Sequence, residues 1–149
     1  MERCVARLLQ HYGFEGVQLV GGAGEKGADV VATQNNERWV FQVKYKQSSS
    51  VDKKAIQEAF EAYKSYEAKY AVTVTNSTFN SVAENYHNKL VEAGFNIHLW
   101  DRNTLTRIGE DWLKDASAAK KTPHSYQQKA INKIIESIND GEQSGLITL

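Results

Sequence analysis

ADVVATQNNERWVFQVKYK, residues 28–46, is the stretch on which the fold turns. Two runs rich in β-branched and aromatic side chains, 28–33 and 38–46, flank Gln34-Asn35-Asn36-Glu37, a pattern that predicts two strands joined by a hairpin. Asparagine tolerates the positive φ of a two-residue turn, so Asn35-Asn36 is the expected turn centre. Pairing then counts back from Gln34 opposite Glu37 to Thr33 opposite Arg38, Val31 opposite Val40 and Asp29 opposite Gln42. Side chains alternate between faces, so Asp29, Gln42 and Lys44 share one face, while Val30, Ala32, Trp39, Phe41, Val43 and Tyr45 give an apolar face suited to a core.

Working outward, Val5, Leu8, Leu9 and Tyr12 recur at the spacing of one helical face, which predicts a helix over 2–12 ended by Gly13. A short strand, Val17–Val20, leads into a glycine-rich stretch at 21–27. Beyond the hairpin, Ser48–Ser50 offers capping groups for a helix from Val51 to Tyr66, with Ile56, Ala59, Phe60 and Tyr63 as its buried stripe. Tyr70–Thr75 reads as an interior strand. Phe79, Val82, Ala83, Tyr86 and Leu90 mark a helix stopped at Gly94. Phe95–Trp100 is a further strand, and Leu105, Ile108 and Trp112 mark a short final helix. The order α-β-β-β-α-β-α-β-α implies an α/β domain with a mixed β-sheet flanked by helices. Residues 114–122, polar and alanine-rich, suit a linker; past Pro123, Tyr126, Ile131, Ile134, Ile135 and Ile138 describe an extra C-terminal helix. The organisation expected is a domain at 1–113, a linker at 114–122 and a separate segment at 123–149.

A chain of 149 residues is long enough for one well-packed domain and part of a second. With 41% hydrophobic and 24% charged residues, wholesale disorder is excluded. Cys4 is the single cysteine, so there is neither an internal disulfide nor a cysteine-based zinc site, which fits a cytoplasmic setting. No apolar run has the length of a signal peptide or a membrane span. Eighteen basic residues balance eighteen acidic ones. A nucleic-acid contact would therefore need a local patch. Residues 37–54 hold one: Arg38, Lys44, Lys46, Lys53 and Lys54 against Glu37 and Asp52.

The shared face of Asp29, Gln42 and Lys44 suits phosphodiester hydrolysis. Opposed Cβ atoms in such a ladder lie about 4.5–5.5 Å apart, close enough for two side chains to share one cation. A hard divalent ion wants oxygen ligands, which the Asp29 carboxylate, the Gln42 amide oxygen and the Val43 backbone carbonyl can supply. Lys44 would hold the attacking water and offset charge in the pentavalent transition state.

Asp29 followed by Gln42-Val43-Lys44 resembles the PD-(D/E)xK nuclease signature in the Asp…Gln-x-Lys form of Mrr-type restriction endonucleases. Glu2 with Val5-Ala6-Arg7-Leu8-Leu9 is similar to that family's opening helix. Gly22-Ala23-Gly24-Glu25-Lys26-Gly27-Ala28-Asp29 resembles its lead-in, although Glu25 and Lys26 stand where aspartate and glycine are common. Val72-Thr73-Val74-Thr75-Asn76-Ser77-Thr78-Phe79 followed by Val82-Ala83 resembles its later strand, turn and helix. The likeness covers most of residues 1–110. It implies a restriction-endonuclease-like fold, DNA as substrate, Mg2+ (or Mn2+) as cofactor, and Glu2 as a further catalytic residue. An acid in a first helical turn also suits the helix dipole whatever its function. Glu25 is a weaker ligand candidate, and Lys46, Lys53 and Lys54 are candidate DNA contacts.

Pro123-His124-Ser125-Tyr126-Gln127-Gln128-Lys129-Ala130-Ile131 resembles the Q-motif region that opens superfamily 2 helicase motors. No GxxxxGK(S/T) follows, so the expectation is the front end of a motor continuing downstream. The alternative is a catalytically silent DNA-binding or docking module of a helicase. A nuclease acting on RNA finds no support, because no RNA-binding module is recognisable. His11, His87, His98 and His124 lack metal-ligand spacing and read as structural, and Trp39, Trp100 and Trp112 read as core.

Overall fold

In the computed structural model, which describes residues 1–22, 27–118 and 132 (backbone alone for 112–118), the elements run α1 (Glu2–His11), β1 (Glu15–Leu19), β2 (Val30–Gln34), β3 (Glu37–Lys44), α2 (Lys53–Ser65), β4 (Tyr70–Thr75), α3 (Ser81–Glu92), β5 (Ile97–Trp100) and α4 (Arg102–Ala118). The hairpin forms in the expected register: Gln34 pairs with Glu37, Thr33 with Arg38, Val31 with Val40 and Val30 with Phe41. Asn35 and Asn36 turn the chain at φ 53° and 62°. Two consecutive left-handed residues match the twist of the strands they join.

The five strands lie in the order β1-β2-β3-β4-β5, antiparallel up to β3 and parallel from β3 to β5. Helices cover both faces. On one, Val5, Leu9 and Phe14 pack with Val30, Ala32, Phe41, Val43, Val72 and Val74. Burial of Phe41 alone contributes about 1.5–3 kcal/mol. On the other, Ile56, Ala59 and Ala62 of α2 and Ala83 and Leu90 of α3 pack with Val40, Ala71 and Ile97. The interior position of β4 explains its composition: from Ala71 to Thr75 every residue is buried.

Several boundaries differ from expectation. The α2 helix is capped by Asp52, whose carboxylate accepts from the Lys54 N–H at 2.9 Å, and not by Ser48–Ser50. Val51 is drawn out of the helix because it bridges to Phe79, its N–H donating to the Thr78 carbonyl at 2.8 Å and its carbonyl accepting from the Asn80 N–H at 3.0 Å. Asn80 in turn caps α3 through the Ala83 N–H at 2.9 Å. Tyr45, assigned by alternation to the core, is 68% exposed because β3 ends at Lys44. The α4 helix runs on to Ala118, into the stretch read as linker. Lysine and alanine are strong helix formers, so weak amphipathicity there did not mean coil. Of the chain's two units, the first is Met1–Trp112; the second, Leu113–Leu149, lies largely outside the described residues, as does the segment expected to open a motor. Among the described residues no helix is long and apolar enough to cross a membrane.

The hairpin gives a direct test. Asn36→Val places a β-branched residue at positive φ and is expected to cost about 1–2 kcal/mol, whereas Asn36→Gly is expected to be neutral or stabilising. Urea denaturation of the two variants reads the difference.

Candidate active site

The face of the sheet beneath α2 and α3 is apolar except at one place. Thr73 and Thr75 of β4 are fully buried and Gln42 of β3 is 5% exposed. The parallel register sets Gln42 beside Thr73 and Lys44 beside Thr75. This polar island lies at the C-terminal end of β3, where β2 stops short.

Asp29 occupies the gap. The regular ladder ends at the Val30–Phe41 pair, so Asp29 does not pair with Gln42 as the simple count expected. Its N–H donates to the Phe41 carbonyl at 2.8 Å, and its own carbonyl accepts from the Val20 N–H at 2.9 Å. The side chain then reaches onward, Oδ2 accepting from the Val43 N–H at 2.7 Å. In an extended strand the N–H and C=O of one residue point to the same edge, so the Val43 carbonyl also faces this gap and not β4. A Cβ built on Gly21 would lie 3.3 Å from Asp29 Oδ1 and 3.6 Å from Glu2 Oε2. Glycine there lets the backbone pass between the two carboxylates.

Burial raises the Asp29 carboxyl above its ordinary value of 3.8; the Val43 N–H opposes the shift, Glu2 adds to it, Lys44 opposes it and Glu58 adds again. Glu58, on α2, carries no recognisable motif. Its Oε2 lies 2.6 Å from Lys44 Nζ. That contact is an ion pair without hydrogen-bond angles, because the same buried oxygen has no hydrogen-bond partner. No spacing rule joins a helical residue to a strand fourteen positions earlier. The available hint was a charge set between Ala55 and Ala59, both in the buried stripe.

Lys44 and Glu58 line a cleft of about 190 Å³ with Lys46, Val51, Asp52, Lys54 and Ala55. Its rim is pinned: the Asn76 side chain accepts from the Lys46 N–H at 2.8 Å and donates to the Lys46 carbonyl at 2.7 Å. Lys53 is exposed and outside the lining, so the structure brings together two of the three proposed DNA-contact lysines. Glu25 lies outside the described residues. His87 Nε2 bonds the Ile97 carbonyl at 2.9 Å, and His98 lies against Trp39 and Tyr70. Trp39 and Trp100 both pack near Phe41, in keeping with a core role. Among the described residues no three Asp, Glu, His or Cys side chains close a metal shell by themselves.

Across residues 1–108 the chain matches the family Mrr_cat, described as "Restriction endonuclease". The chain belongs to this restriction endonuclease family. No curated protein matches it. A solved structure described as "Protein of Unknown Function AF1548" is similar at a TM-score of 0.50 and 23% identity, covering 66% of this chain and 56% of that one. That similarity concerns the fold, and the chain spans little more than half the length of the protein it matches. The mixed five-stranded sheet with flanking helices is consistent with a restriction-endonuclease-like fold.

The raised Asp29 carboxyl makes stability depend on pH. The folded chain holds this proton more tightly than the unfolded one, so the contribution is complete below about 3.8 and is lost as pH rises through the raised folded value. Asn at this position still accepts from the Val43 N–H without the charge. In metal-free buffer Asp29→Asn is therefore expected to melt higher than wild type at neutral pH, with the gap closing on acidification.

Proposed function

We propose that residues 1–113 form a metal-dependent DNA endonuclease domain that hydrolyses phosphodiester bonds, with Mg2+ as its ion and Mn2+ as a substitute. One observation carries the reading: the Asp29 carboxylate is fixed by the Val43 N–H at the end of β3, near the Lys44 ammonium, which itself lines the cleft with Lys46 and Lys54. The donor set fits a hard cation. Asp29 is half-buried, and burial with the nearby Glu2 and Glu58 carboxylates raises its pKa against the opposing Val43 N–H and Lys44, an excess of negative charge that a cation would relieve. Asp29, the Gln42 amide oxygen and the Val43 carbonyl would hold the ion, and Glu2 stands across Gly21 from Asp29 to orient water. A bound divalent ion supplies Lewis acidity toward the phosphate and acidifies a coordinated water. Lys44 would place that water and offset the charge gathering on the phosphate oxygens. Lys46 and Lys54 would contact flanking phosphates, which position the duplex without reading its sequence.

The setting consistent with this reading is a cytoplasmic restriction or DNA-processing enzyme coupled to a helicase motor encoded downstream. Support for the motor comes from the residues of 123–131. Cleavage of plasmid DNA with Mg2+ is the decisive assay. Asp29→Ala and Lys44→Ala are each expected to lower the rate by on the order of a hundredfold or more, and cleavage that survives both removes this active site. Binding of DNA by wild type without cleavage under Mg2+ or Mn2+ instead favours a docking module.

Gln42 brings no charge to the ion, so affinity for Mg2+ is expected to be weak in the free protein and to rise when a DNA phosphate joins the shell. Calorimetric titration with and without an uncleavable duplex measures this. Equal affinity in both states would exclude shared coordination.

A further inference from the structure

In an acidic-x-Lys arrangement, a carboxylate two residues before the lysine lies on the same strand face and can serve as its counter-charge. Here that position is Gln42, buried and neutral. The partner of Lys44 comes instead from α2, whose Glu58 Oε2 lies 2.6 Å from Lys44 Nζ. Both side chains are only partly open to water, at 34% and 27% exposed, so the pair is less screened than one on the open surface.

A second contact seats the same helical turn. A Cβ on Gly27, which has φ +78°, would overlap the Glu58 carbonyl, so a glycine is required for the loop before Asp29 to lie against this turn of α2. One end of Glu58 is thus fixed by backbone packing while the other meets the lysine. Its Oε2, buried and without a hydrogen bond, has no competing donor.

We propose that Glu58 is the positioning residue of Lys44, supplying from α2 the counter-charge that Gln42 does not, and so aiming the ammonium at the reacting phosphate. The inference rests on the nuclease reading for its catalytic part and on geometry alone for the pairing. It has a cost with a readable sign. A carboxylate beside the cleft repels DNA, so Glu58 helps turnover while opposing binding.

The experiment compares wild type, Glu58→Gln and Gly27→Ala in two measurements. The first is acetylation of each lysine by a water-soluble active ester, read by peptide mass spectrometry, with Lys46 and Lys54 as internal references. Glu58→Gln is expected to raise Lys44 labelling severalfold with the references unchanged, and Gly27→Ala to move it the same way. The second is cleavage kinetics. Glu58→Gln is expected to lower kcat by roughly ten- to a hundredfold while DNA affinity stays equal or tightens, a split that loss of folding would not give. Partial recovery of kcat in Glu58→Asp supports positioning further. Unchanged Lys44 labelling, or increased labelling with unchanged kcat, overturns the proposal. If wild type cuts no DNA, the nuclease reading fails separately, and labelling with DNA affinity decides the pairing.

Discussion

The Asp29 carboxylate takes the place of a backbone acceptor at the end of the β2–β3 ladder, and the site is arranged around that substitution. With Oδ2 on the Val43 N–H at 2.7 Å, the aspartate is held by a main-chain group whose position the sheet dictates. Hydrogen bonds to an ionised acceptor are about twice as strong as neutral ones, which helps hold a half-buried carboxylate in place. Were β2 two residues longer, a regular ladder would consume the Val43 N–H and carbonyl and leave no opening. The late start of β2, the glycines before it and the arrival of α1 with Glu2 all meet at the same vacancy in the pairing.

The polar island has an energetic consequence. Thr73 Oγ1 is buried without a hydrogen-bond partner, next to a buried Gln42. A group of this kind costs on the order of 1–3 kcal/mol relative to a satisfied one. Valine in place of threonine would suit the surrounding core better. Polar groups in an otherwise apolar face, beside a carboxylate whose charged form burial disfavours, lower the stability of the sheet at this place.

The hairpin was legible because its information is local. Asn35-Asn36 sets the turn, alternation sets the faces, and the register of Thr33–Arg38 and Val31–Val40 follows by counting. Counting failed one residue before the start of β2, where Asp29 leaves the ladder. Tyr45 shows the same limit on the other strand, since alternation cannot say where a strand stops. Long-range packing was legible only in outline, as in the interior placement of β4. Val51 reads as the start of a helix until Phe79 appears beside it, and nothing in the sequence joins Glu58 to Lys44 until α2 is laid across β3. The family likeness named Asp29, Gln42 and Lys44 as a set of candidates but gave no sign that the ion pair of Lys44 comes from the next helix.

Asn76 grips both polar groups of the Lys46 peptide, and its own carbonyl accepts from Arg102 Nε at 2.9 Å. The chain leaving β3 is therefore fastened to the exit of β4 and the start of α4 and has little freedom to swing. A loop that carries basic side chains ordinarily loses backbone entropy when it meets an anion, on the order of 1–2 kcal/mol for each residue that becomes ordered. Here the peptide of Lys46 is ordered beforehand, so a polyanion entering the cleft meets a rim whose backbone needs no rearrangement, and only the lysine tips remain to be stilled.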